Sequence, residues 1–102
     1  MVMAEFSMVP LDKGESLSAH IARVVELVDE SGLDYRFTPM ATIVEGELDD
    51  VLKLIRACHL RMREFSTRVL TTVKLDDREG ATGRIRGKVE SVEKKAGRTF
   101  RK

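Results

Sequence analysis

An α+β domain is what this sequence predicts, on three observations. Short β-rich runs alternate with stretches whose apolar residues recur at helical spacing, in the order β-α-β-β-α-β-α. Two of the strand runs, residues 34–38 and 41–45, have only Pro39 and Met40 between them and read as a hairpin. At 102 residues, 42% hydrophobic and 34% charged, the chain holds one domain with one modest core and is too apolar for disorder. The first six elements make the split βαβ, or ferredoxin-like, pattern βαββαβ: a four-stranded antiparallel sheet with two helices on one face. The seventh is an extra C-terminal helix.

The elements follow in order. Residues 2–9 alternate, with Ala4, Phe6 and Met8 on one face, and Pro10 closes the strand. After the loop 11–15, Ser16 or Ser18 is placed to cap a helix whose apolar face is Ile21, Val24, Val25 and Val28, with Arg23, Glu26, Asp29 and Glu30 outside. Gly32 ends that helix. Tyr35 and Phe37 share one face of the second strand and read as core. Gly46 breaks the third strand, and Asp49 or Asp50 starts the second helix, with Val51, Leu52, Ile55, Cys58 and Met62 inward, continuing to Phe65. Residues 67–76 form the longest strand. The third helix is amphipathic through Ile85, Val89 and Val92 and ends near Gly97. Residues 1–97 thus form one domain, and 98–102 read as a frayed tail.

Composition narrows the function. No apolar run is long enough for a membrane span, and the N-terminus lacks a basic n-region, so a soluble cytoplasmic protein is expected. Cys58 is the one cysteine and reads as a small buried hydrophobe. His20 and His59 read as surface helix residues, and no Cys/His spacing suggests zinc. Neither a metal nor a cofactor is expected. The net charge of +1 hides an asymmetry: residues 78–102 carry +6 and the rest −5. Such a segment serves either as a solvated helix face or as a surface for an acidic partner or nucleic acid. Nucleic acid is the weaker expectation, because aromatics are only 5% of the chain and the strands lack base-stacking pairs. An acylphosphatase-like activity is disfavoured, since the loop 11–15 offers no Arg or Asn. The sheet face away from the helices, with Met3, Val9, Leu70 and Thr72, predicts a homo-oligomer.

Several segments, in this order and spacing, carry a resemblance. They are Val9-Pro10, Ser16-Leu17-Ser18, the run from Glu30 to Tyr35, the run from Thr38 to Glu47, the run from Arg68 to Arg78, and the run from Lys88 to Lys95. Together they resemble the small thiamine-binding-protein family over roughly residues 5–95. The resemblance implies a ferredoxin-like homo-oligomer, a dimer or a tetramer of paired dimers. It also implies non-enzymatic binding of thiamine or its hydroxymethylpyrimidine moiety, as carrier, store or sensor. The alternative is an oligomeric interaction or nucleic-acid-binding module using the basic C-terminal segment. The sequence departs from the family pattern in the loop 11–15 and at the end of the second helix, residues 58–64.

For such a ligand a site needs polar partners for the aminopyrimidine, an apolar wall and a carboxylate for the thiazolium. The run from Thr38 to Glu47 offers these: Thr38 and Thr42 hydroxyls, the Met40 wall, the Glu45 carboxylate, and Gly46 for close approach. Ser16, Ser18 and Arg68 complete the candidate binding set. Each has a plainer role open to it. Thr38 fits a turn, Ser16 and Ser18 fit a helix cap, and Glu45 fits an ion pair with Arg68.

Overall fold

The computed structural model describes every residue but 15 and 16, so the expected role of Ser16 lies outside the described residues. Its elements are β1 (Val2–Pro10), α1 (Ser18–Glu30), β2 (Asp34–Phe37), β3 (Thr42–Gly46), α2 (Leu48–Arg63), β4 (Val69–Asp76) and α3 (Arg84–Ala96). The four strands form one antiparallel sheet in the order β2-β3-β1-β4. This is the ferredoxin-like arrangement, with α3 added.

The core follows from two periodicities. Alternation in β1 sends Val2, Ala4, Phe6 and Met8 inward and leaves Glu5 and Val9 exposed. Facing them, α1 buries Val24 and Val28, and α2 buries Val51, Leu54, Ile55, Cys58 and Met62. Each large apolar side chain so buried stabilises the fold by roughly 1.5–3 kcal/mol. Burial pushes the Cys58 thiol up to about 11, so it stays protonated. Asp49 and Asp50 lie in the first turn of α2, where carboxylates complement the helix dipole.

The structure corrects several local expectations. The N-cap of α1 is Leu17, with no side-chain cap, so Ser18 is the exposed first helical residue and not a cap. α2 begins at Leu48, ahead of Asp49, and ends at Arg63, short of Phe65. Phe37 is exposed at the end of the edge strand β2, beside α1; Tyr35 packs at the margin of the core. Leu52 is exposed and Leu54 takes the inward place, four residues before Cys58. The β2–β3 connection is the four residues 38–41, closed by Thr38 N–H donating to Ala41 O at 2.9 Å. His20 and His59 are tied in: the His20 ring lies 5.5 Å from that of Phe65, and His59 Nδ1 is 2.6 Å from Thr71 Oγ1.

The outer sheet face carries α3, which touches β3 and β2. Residues 98–102 are exposed and make contacts to α3. Phe100 N–H donates to Glu93 Oε2 at 2.6 Å and Lys102 Nζ lies 3.0 Å from the same oxygen, folding the tail back on α3. A second tie crosses the other end of the sheet. Asp12 accepts from the Ser66 hydroxyl and from Thr67 N–H at 3.0 Å, pinning the loop after β1 to the start of β4.

Candidate functional site

The turn 38–41 faces α1. Thr38 shapes it: its Oγ1 donates to Ala41 O at 2.8 Å and accepts from Ala41 N–H at 3.1 Å and Met40 N–H at 3.3 Å. Its hydroxyl is therefore spent within the turn. Between turn and helix lies a cleft of about 90 Å³. Phe6, Met8 and Met62 form its floor, Ile21, Val24 and Val25 one wall, and Phe37, Met40 and Thr42 the other. Met40 is 86% exposed, an unbranched side chain on the rim. Thr42 is only 5% exposed, yet among the described residues its hydroxyl makes no protein hydrogen bond. A hydroxyl that lines a cleft and is not spent within these residues is available to whatever enters.

A second, open groove of about 630 Å³ runs between α1 and β2 and shares Ile21, Val25 and Phe37 with the cleft. Ser18 lies along it, as do Glu26, Asp29, Glu30 and Tyr35. The Tyr35 hydroxyl donates to Asp29 Oδ1 at 2.8 Å, and this hydrogen bond holds the phenol above its ordinary 10.0.

The remaining candidates lie elsewhere. Glu45 is on the opposite sheet face, since it alternates with the inward Val44. It is 4% exposed, and its partner is not Arg68 but the start of α3: Oε2 accepts from Arg84 N–H at 2.8 Å and Oε1 from Ile85 N–H at 3.3 Å. Those are two of the donors a helix leaves unpaired at its N-terminus, where the dipole also favours negative charge. Gly46 permits a close approach, but of Leu33: a Cβ there would come 3.0 Å from Leu33 Cδ2. Arg68 is exposed just before β4, at the end of the sheet away from Glu45, and its carbonyl accepts from Leu11 N–H at 2.9 Å.

The structure thus brings together Thr38, Met40 and Thr42, with Ser18 on the adjoining groove, and separates Glu45, Gly46 and Arg68 from them. Sequence reasoning left Glu26, Asp29 and Glu30 as solvated residues. Their spacing of i, i+3 and i+4 put them on one helix face, which is the signal that marks a continuous acidic rim.

Comparison with known proteins agrees with this frame. The family model described as "Thiamine-binding protein" matches residues 4–93, and the chain belongs to that family. It is 38% identical over 98 residues to a UPF0045 protein of Methanothermobacter thermautotrophicus, covering 93% of this chain and 99% of the relative. It is 33% identical over 100 residues to the UPF0045 protein YqgV of Bacillus subtilis, covering 92% and 96%. The crystal structure of MJ1052 from Methanocaldococcus jannaschii superposes with a TM-score of 0.83 at 31% identity, over 89% of this chain and 94% of that one. A Thermotoga maritima protein, described as a candidate for thiamine biosynthesis or salvage, has the same fold: TM-score 0.79 at 24% identity, over 89% and 97%.

Proposed function

We propose that this chain is a non-enzymatic cytoplasmic binding protein for thiamine or its hydroxymethylpyrimidine moiety, and that the pyrimidine enters the cleft between α1 and the turn 38–41. The observation that carries this is Thr42, 5% exposed on a largely apolar cleft, whose hydroxyl has no hydrogen-bond partner among the described residues. An aminopyrimidine offers ring-nitrogen acceptors and an amine donor, and a hydroxyl serves either. Met40 and Phe37 supply a polarisable rim against the flat ring. Membership of a thiamine-binding family supports the ligand class. The binding role, as against catalysis, is supported by what the reactive side chains do. The Cys58 thiol is buried and protonated, and His59 is engaged by Thr71. No helix among the described residues is long and apolar enough to cross a membrane.

Titration calorimetry with thiamine, hydroxymethylpyrimidine and a pyrimidine-free thiazole tests the reading. The first two are expected to bind and the third not. Thr42→Val keeps the shape and removes one hydrogen bond, so hydroxymethylpyrimidine affinity is expected to fall about two- to tenfold. No binding of either pyrimidine compound, or an unchanged affinity in Thr42→Val, contradicts it.

A further inference from the structure

We propose that Glu26, Asp29 and Glu30 on α1 form a cation-selecting rim that receives the thiazolium ring of thiamine and discriminates against its phosphate esters. This rests on the pyrimidine occupying the adjoining cleft, as proposed above. The cleft and the groove meet over Ile21, Val25 and Phe37. Thiamine joins its two rings through a single carbon. A ligand whose pyrimidine reaches Thr42 therefore has its second ring at that junction or beyond, in the groove.

The groove's surroundings suit that ring. Its floor is Ile21, Ala22, Val25 and the exposed face of Phe37, and an aromatic face attracts a cation. Three carboxylates line it, and among the described residues none of them has an ion-pair partner: the ion pairs there are Arg61–Glu64, Lys88–Asp76 and Lys102–Glu93. Among the described residues, the one hydrogen bond to any of the three carboxylates is from the Tyr35 hydroxyl to Asp29 Oδ1, which orients that carboxylate without neutralising it. Uncompensated negative charge around an apolar floor favours a delocalised cation and repels a phosphate. The anionic phosphate esters of thiamine carry their charge at the thiazolium end, so the rim opposes them where it welcomes the free alcohol.

The experiment compares affinities for hydroxymethylpyrimidine, thiamine and thiamine monophosphate in the native chain and in E26Q/D29N/E30Q, at low and high salt. Each exposed carboxylate contributes modestly, about 1.5- to fivefold. The native chain is expected to favour thiamine over both other ligands by about tenfold at low salt, with the preference shrinking as salt rises. In the triple variant the preference should collapse while hydroxymethylpyrimidine affinity stays within about twofold. That retained binding also shows the variant is folded; if it is lost, E26Q alone serves, with a proportionate fall in preference. An unchanged preference with hydroxymethylpyrimidine bound overturns the rim and leaves the cleft standing. So does an unchanged preference with a changed sedimentation coefficient, which would assign the rim to a second copy of the chain. Absence of binding by any of the three ligands overturns both.

Discussion

Glu45 shows how a carboxylate can look like a ligand group and serve another part of the fold. Its two oxygens take the first two N–H groups of α3 while the residue is 4% exposed. Glu45→Gln keeps one acceptor and loses the charge, so it is expected to lower stability by about 1–2 kcal/mol, read as the urea midpoint. Ligand affinity should stay within about twofold. A loss of affinity at unchanged stability would return Glu45 to the ligand site. Asp12 gives a pH prediction. The Ser66 hydroxyl, foremost, and the Thr67 N–H hold its carboxyl well below the ordinary 3.8. Asp76 is lowered by Lys88, and Glu93 by the Phe100 N–H. A lowered folded pKa stabilises above the ordinary value, and that stability is lost as pH falls through the folded value. The melting temperature should therefore be flat from neutrality to about pH 5 and fall below that. In Asp12→Asn the acid fall should be shallower, and an identical slope would show that the Asp12 ties do not matter.

Among the elements, α3 is a helix whose start is anchored by a carboxylate far away in the sequence. Its N-cap, Gly83, has φ +63°, where a Cβ strains the backbone although the space around it is open. Gly83→Ala is expected to cost about 1 kcal/mol and to loosen α3, seen as faster amide exchange at 84–88 with the sheet unaffected. Exchange unchanged at those amides would contradict the account of how α3 is anchored. β1, α1, α2 and β4 were legible in the sequence because their signal is local: Ala4, Phe6 and Met8 alternate, while Val51, Ile55, Cys58 and Met62 recur at helical spacing. The cleft's turn was legible too, from Thr38 and Pro39. The anchor of α3 was not. Glu45 bonds backbone amides 39 and 40 residues away, and a backbone donor leaves no mark in a sequence. The Asp12–Ser66 tie joins two side chains 54 residues apart, a pairing that no local spacing marks.

The whole molecule is elongated, 47 × 29 × 21 Å with a radius of gyration of 15.0 Å, against about 13 Å for a compact domain of this length. Its apolar surface is not spent within the chain: Leu70 is 57% exposed on the outer sheet face, with Val9 beside it, and Val92 and Phe100 are exposed on α3 and its tail. Such surface favours self-association. Light scattering at micromolar concentration is expected to give a dimer or tetramer, and Leu70→Lys to shift it toward the 11.5 kDa monomer. A native monomer would contradict this. The central claim is the position of the pyrimidine, and amide NMR of the chain titrated with hydroxymethylpyrimidine tests it most directly. The account predicts the largest shifts at residues 38–42 and 21–25, with those at 45–46 and 83–85 unmoved. Shifts concentrated at Glu45, Gly46 and the start of α3, with the cleft silent, would contradict it.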